Sequence, residues 1–414
     1  MRSACASSAT KARTGSPSVA PPAPGATRTT DPIAYFRDMI DHCYDYAEAA
    51  RKQGCPLVGI MCEFTPRELI LAAGAVPVCL CGGSAATIPA AEQHLPANLC
   101  PLIKSTFGYF VTGKNPFLNW ADLVVAETTC DGKKKMFELL ADGKPMYVLE
   151  LPQKADDPDG LERWVMEVRK FKSHLENRFR VRITDERLRA AVGLMNRERG
   201  LRRDLAGLMA AEPPPLTGRQ LLELKSIISG IEADLQQYAA ALARFGRAAA
   251  ACAAAPASAA PNATPKVRVL LTGVPLVHGA ERVLEIIEDN GAVVVCLENC
   301  TGLKPILEDV DGTAGDPVRA IAEKYYHLPC SVMTRNQRRL DSLCALAARF
   351  RPQCIIELVW QACLTYDVES SFVRRLAEEQ LRLPYLKITT DYSPADSARI
   401  ASRVAALIET VQAR

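Results

Sequence analysis

The chain has 414 residues, enough for two or three domains with packed cores, and 50 Lys and Arg nearly balance 47 Asp and Glu. This balance argues against nucleic acid or a membrane surface as the main partner. We find no apolar run of about 18 residues and no signal-peptide core, so neither a membrane span nor export is expected. The sequence therefore predicts a cytoplasmic protein.

The N-terminal 30 residues are rich in Ala, Ser, Thr and Pro and precede the first acidic residue, Asp31. Such a composition cannot bury a core and predicts a disordered tail. A helix is expected over residues 31–53. Residues 56–84 then read as strand, turn, helix, glycine and strand, which is a βαβ unit.

A further βαβ pattern covers residues 123–152, after a predicted helix at 100–112. The sequence therefore predicts a first α/β domain with an N-terminal helix over residues 31–155. A helical region follows at 156–246, then an Ala/Pro linker at 247–265, and a second α/β domain fills residues 266–414.

An imperfect internal repeat indicates that the two α/β domains are related. "GAVPVCL" at 74–80 recurs as "GAVVVCL" at 291–297, and Phe117 stands thirteen residues before Cys130 as Phe350 stands before Cys363. Each of these cysteines leads into a helix and a later strand. The pattern predicts two doubly wound parallel-sheet domains of flavodoxin-like or Rossmann-like type, with the helical segment between them.

Fifteen cysteines are unusual for a chain without an export signal, and they favour metal or redox chemistry over disulfides. Some of them lie in apolar periodic segments and are expected to be core residues: Cys43, Cys79, Cys296, Cys344 and Cys354. Cys5 and Cys252 lie in low-complexity segments, where no role is expected. Six of the others fall at strand ends or in loops, which meet at one crevice in an open α/β sheet: Cys62, Cys100, Cys130, Cys300, Cys330 and Cys363.

Widely spaced thiolates suit an iron–sulfur cluster better than a zinc site, since zinc sites often use close CxxC pairs and none occurs here. Scattered buried thiols without metal are the alternative interpretation. The internal repeat places Cys81 opposite the Cys300 region, so Cys81 competes with Cys62 for the third ligand position of the first domain.

Six short motifs resemble the 2-hydroxyacyl-CoA dehydratase and benzoyl-CoA reductase superfamily, and they are closest to its double-cubane-cluster branch, often described as dehydratase D-component-like. They are "MCEFTPRELILAAG" (61–74), "NLCPLIKSTFG" (98–108), "TTCDGKKKMFELL" (128–140), "ENCTGLK" (298–304), "LPCSVM" (328–333) and "TTDYSPAD" (389–396). The resemblance covers roughly residues 32–411.

The resemblance implies two [4Fe–4S] cubanes, sulfide-bridged as an [Fe8S9]-type double cubane. Cys62, Cys100 and Cys130 would hold one cubane, and Cys300, Cys330 and Cys363 would hold the other. It also implies a homodimer and a separate ATP-hydrolysing iron–sulfur activator that supplies low-potential electrons. The chain has no P-loop motif, in agreement with ATP use elsewhere.

The expected function is therefore an anaerobic reductase of a small molecule. A 2-hydroxyacyl-CoA dehydratase subunit with one [4Fe–4S] cluster and a non-catalytic electron carrier are the alternatives. Possible proton donors or pocket residues are Glu63, Ser105, His278 and His327, although each also fits an ordinary loop or capping role. Lys133–Lys135 could offset cluster charge, receive the activator, or simply form a solvated helix start.

Overall fold

The structure, a computed structural model, describes residues 31–254 and 266–414. The predicted tail at 1–30, Cys5 within it, and residues 255–265 of the predicted linker lie outside the described residues. The first part is an α/β unit whose elements are α1 Pro32–Arg37, α2 Met39–Lys52, β1 Leu57–Ile60, α3 Arg67–Ala72, β2 Val76–Cys79, α4 Ile88–Ala91, α5 Pro101–Thr112, α6 Pro116–Trp120, β3 Leu123–Glu127, α7 Asp131–Ala141 and β4 Met146–Leu149.

A helical segment and a second α/β unit follow. The helices of the segment are α8 Pro158–Phe179, α9 Asp185–Gly207, α10 Gly218–Glu223 and α11 Glu232–Ala254. The second unit consists of β5 Val267–Gly273, α12 Arg282–Asp289, β6 Ala292–Glu298, α13 Pro317–Tyr326, α14 Gln337–Phe350, β7 Cys354–Trp360, α15 Leu364–Arg375, β8 Tyr385–Thr390 and α16 Ser397–Gln412. Helix α11 extends to Ala254, into the predicted linker, because its alanine-rich end has high helix propensity.

Each α/β unit contains one four-stranded sheet in which all neighbouring strands are parallel. The strand orders are β2-β1-β3-β4 and β6-β5-β7-β8. The inner strands β1, β3, β5 and β7 are buried along their whole length and mostly apolar, as expected for strands covered on both faces, whereas the edge strands β4 and β8 are partly exposed. The prediction of two α/β units with parallel sheets is confirmed, and the topology is consistent with a doubly wound arrangement.

The predicted internal repeat occupies the same topological position in both sheets. "GAVPVCL" contains β2 and "GAVVVCL" contains β6, and these are the edge strands beside β1 and β5. Gly74 and Gly291 precede these strands with backbone φ angles of +77° and +90°, which residues with a Cβ atom rarely adopt. The repeated glycine is therefore required by the turn into each edge strand.

Buried polar contacts join the helical segment to both units. Arg199 of α9 forms a buried ion pair with Glu68 of α3, and the Tyr325 hydroxyl of α13 donates to the same carboxylate at 2.8 Å. The Trp164 indole of α8 donates to the carbonyl of Ala322 at 3.1 Å. These contacts fix the relative position of the sheets and hence of the loops at their carboxyl ends. No helix within residues 31–254 and 266–414 is long and apolar enough to cross a membrane.

Candidate functional site

The carboxyl ends of the two sheets face each other, and their loops are in contact. The Tyr392 hydroxyl of the second unit donates to the carbonyl of Gly82 in the first at 3.2 Å. A Cβ on Gly83 would lie 2.3 Å from the carbonyl oxygen of His278, so only glycine permits this approach. The arrangement brings cysteines from both units to one place, named here the cysteine cluster: Cys62, Cys81, Cys100, Cys130, Cys300, Cys330 and Cys363.

Cys62 contacts the second unit electrostatically. Burial raises the pKa of Cys62, Lys133 opposes that rise, and charges on Glu127, Cys330 and Cys300 add to it. Thiolates from the two units therefore lie near each other, rather than forming one separate group per sheet.

A second contact between the units joins Cys100 and Cys363. The interaction between the two thiols lowers the pKa of Cys100 and raises that of Cys363. Burial raises the pKa of Cys130, and neighbouring charges on Cys100 and Cys330 raise it further. All six predicted cysteines thus belong to one connected set of thiols.

Three of the thiols stand at helix N-termini. Cys100, Cys130 and Cys363 immediately precede α5, α7 and α15. Backbone amides of these helices favour the thiolate in each case, although burial keeps the pKa of Cys130 raised overall, and interaction with Cys100 together with burial does so for Cys363. A helix N-terminus favours negative charge, so these positions stabilise thiolates.

The three consecutive lysines of α7 have different environments. Lys133 is buried and donates to the carbonyl of Met61, whereas Lys134 and Lys135 are exposed and pair with Asp131 and Glu138. Burial opposes the charge of Lys133, but Cys62, Cys81, Glu127 and Cys130 together raise its pKa above the ordinary range. Lys133 is therefore a buried cation that offsets negative charge within the cysteine cluster.

Buried polar groups also support the second unit's part of the cluster. The Lys304 ammonium donates to the Tyr366 hydroxyl at 2.9 Å and lies 3.2 Å from the Glu298 carboxylate. Glu298 in turn contacts Arg339, whose fully buried guanidinium also pairs with Glu357 and Glu369. Lys304 lowers the pKa of Cys300 against the dominant effect of burial, which raises it to about 12.

A cleft of about 360 Å³ opens between the two units beside the cluster. Cys79, Cys81 and Cys300 line it, together with charged side chains that come from the first unit and from the helical segment. The apolar context of Cys79 predicted a core residue, but its side chain lines the cleft. The Cys81 thiol donates to the Met61 carbonyl at 3.5 Å, and interaction with the Cys81 sulfur lowers the pKa of Cys79 to about 7.

Comparison with known proteins identifies the family. The family model for the 2-hydroxyglutaryl-CoA dehydratase D-component matches residues 62–411. YjiM of Escherichia coli (strain K12), a provisionally named dehydratase subunit, is 40% identical over 365 residues, covering 87% of this chain and 92% of YjiM. The chain belongs to the 2-hydroxyglutaryl-CoA dehydratase D-component family.

Two further relatives are named as parts of multi-subunit enzymes. The (R)-phenyllactyl-CoA dehydratase beta subunit of Clostridium sporogenes is 22% identical and covers 91% of this chain and 97% of its own. One of the subunits of benzoyl-CoA reductase from Thauera aromatica is 27% identical over 40% of this chain and 42% of its own. Among solved structures, the SBP FpvC of Pseudomonas aeruginosa matches at a TM-score of 0.21 and 14% identity, too low to support an argument.

In this D-component family protein, the four other predicted site residues have different positions. Glu63 and His278 line the cleft, and Arg67 holds the Glu63 carboxylate through two hydrogen bonds of 2.7 and 2.9 Å. The buried Ser105 hydroxyl instead accepts from the Ser84 amide at 3.0 Å and fixes that loop. His327 is exposed at the C-terminal end of α13.

Neither the individual role of Lys133 nor the cleft residues Arg67, Arg202 and Lys225 were predicted from the sequence. A buried position three residues after Cys130 on an amphipathic helix could have distinguished Lys133 from its neighbours. Arg202 and Lys225 have no such signal, because they reach the cleft from the helical segment. Within residues 31–254 and 266–414, no three His, Cys, Asp or Glu side chains are arranged to hold a single metal ion.

Proposed function

We propose that the protein is an iron–sulfur reductase whose cysteine cluster holds two joined [4Fe–4S] cubanes, an [Fe8S9]-type double cubane. Electrons would come from a separate ATP-hydrolysing activator, and a small molecule would be reduced in the cleft. The observation that carries this proposal is the convergence of cysteines from both α/β units of one chain, at sheet ends whose loops are in contact.

The donor set fits such a group. Iron–sulfur clusters take thiolate ligands, and loops of both α/β units supply the thiols of the cysteine cluster. Cys62, Cys100 and Cys130 would hold one cubane and Cys300, Cys330 and Cys363 the other. When bound, the cluster supplies electrons at low potential.

The surrounding residues would stabilise this charge. Lys133 supplies a buried positive charge, and the N-termini of α5, α7 and α15 direct their amides toward three of the thiolates. The cleft gives a substrate access to Cys81 and Cys300. This access favours a catalytic protein over a pure electron carrier, which needs no substrate cleft.

Cys62 and Cys81 remain competing ligands. Cys81 follows β2 as Cys300 follows β6, so topology favours Cys81, whereas electrostatic contact with Cys300 and Cys330 favours Cys62. Cys62→Ser and Cys81→Ser variants can be compared with Cys344→Ser, a cysteine of α14 outside the cluster. The variant that loses iron identifies the ligand.

A dehydratase subunit is the second candidate, and the matches to dehydratase subunits along most of their length favour it. The deciding experiment measures iron and acid-labile sulfide per chain after anaerobic purification, with EPR of the reduced state. About eight irons per chain would support two joined cubanes, and about four would favour the dehydratase subunit. Absence of iron after reconstitution would refute both. Redox-active iron without turnover on any tested substrate would favour the electron carrier.

A further inference from the structure

The cleft beside the cysteine cluster has a marked excess of positive charge. Its lining contains four cationic side chains and a single carboxylate, Glu63. The cations are Arg67, Lys114, Arg202 and Lys225. The first belongs to α3, the second to the loop before α6, the third to α9 and the fourth to the loop after α10. The fold therefore gathers them from distant parts of the sequence.

Arg67 largely neutralises Glu63. Burial favours the neutral acid, but the two hydrogen bonds from Arg67, together with nearby Arg202, lower the pKa of Glu63 overall. The Arg67 Nε atom is buried and has no hydrogen-bond partner among the described residues. The pair therefore leaves the other cations of the cleft without a compensating carboxylate in its lining.

Arg202 and Lys225 keep donors free for a ligand. Arg202 contacts the carbonyl of Thr301 at 3.4 Å and the Glu198 carboxylate at 3.8 Å, both long for charge-assisted bonds. Lys225 donates to the Leu276 carbonyl and the Glu281 carboxylate, each at 3.2 Å, which uses two of its three hydrogens. Their side chains are only 18% and 13% exposed, so an anion between them would be shielded from water.

We infer that this cleft binds a small carboxylate, held by Arg202 and Lys225 next to Cys81 and Cys300. The inference rests on the proposed function, because it names the class of substrate that would meet the cluster. A guanidinium presents paired donors that match the two oxygens of a carboxylate. A volume of about 360 Å³ is at the low end for ligand pockets, so the coenzyme A portion of a CoA thioester would have to lie outside the cleft.

Alkylation of Cys79 tests the inference without relying on turnover. Cys79 lines the same cleft, and iodoacetate and iodoacetamide are a carboxylate and its neutral analogue. On the anaerobic holoprotein, mass spectrometry of the Cys79 peptide gives the ratio of the two alkylation rates. We expect Arg202→Gln to lower the iodoacetate-to-iodoacetamide ratio about tenfold, because a charge-assisted contact is lost. Arg197→Gln, an exposed arginine of the same helix, should leave the ratio unchanged.

Protection experiments separate the possible anions. Succinate should slow alkylation of Cys79 in the wild type and not in the Arg202→Gln variant, while succinamide and inorganic phosphate should not protect. Equal protection by phosphate, or an unchanged alkylation ratio in Arg202→Gln, would overturn the inference. Iron is measured on the same samples. A protein that contains iron but shows no carboxylate preference refutes only this inference. A protein that shows the carboxylate preference but contains no iron refutes only the proposed function.

Discussion

Replacement of Lys133 by methionine removes one buried positive charge of the cysteine cluster and keeps most of the side-chain volume. The ammonium is next to Cys62, Cys81, Cys130 and Glu127 and donates to the Met61 carbonyl. Its exposed neighbour Lys134 pairs only with Asp131 among the described residues, so Lys134→Met is a matched control.

The magnitude follows from Coulomb's law. A unit charge roughly 5–10 Å from a second charge, at an effective dielectric constant of about 20, contributes about 2–3 kcal/mol. For a one-electron couple, this corresponds to roughly 100 mV. Since a positive charge favours the reduced cluster, Lys133→Met should shift the midpoint potential by roughly that amount in the negative direction.

The assay is a potentiometric titration followed by EPR, with iron content determined on the same anaerobic preparations. Lys133→Met should also bind less iron, because the thiolates lose their compensating charge. Lys134→Met should match the wild type in both measurements. If the two variants have equal potentials and equal iron, the buried ammonium does not act on the cluster, and the electrostatic reasoning is refuted.

Three other predictions concern the metal-free protein, measured by urea denaturation. Burial raises the pKa of Glu127 to about 7 from an ordinary 4.5, so its stabilising effect is present below about pH 4.5 and is lost as the pH rises through 7. Glu127→Gln should remove about 3 kcal/mol from the pH dependence of the free energy of unfolding. An unchanged dependence of the unfolding free energy on pH would contradict this prediction. Arg339→Met removes the guanidinium that three buried glutamates share, of which Glu298 keeps Lys304 as a partner, and should cost about 3–5 kcal/mol. Exposed Arg338→Met should cost little, and equal costs would refute this assignment. Gly83→Ala would place a Cβ 2.3 Å from a carbonyl of the facing loop and should cost about 1–3 kcal/mol, while Gly193→Ala in α9 meets nothing within 4 Å and should be neutral or stabilising.

The elements near the site could be predicted because their signals are local. Apolar runs bounded by glycine and proline mark β1, β2 and β3, and the repeated "GAV" stretches mark equivalent edge strands. Parallel strands end at one edge of a sheet, so cysteines that follow them are expected to converge. The sequence thus determined the two related α/β units and the candidate thiols.

Only the tertiary structure decided what surrounds those thiols. Burial of Lys133, one lysine in a run of three, depends on how α7 packs. The cleft receives Arg202 and Lys225 from the helical segment. The interaction between Cys100 and Cys363 joins residues that are 263 positions apart in the sequence. Charge, burial and proximity at the site are set by long-range packing of the two sheets, and no local pattern of residues encodes that packing.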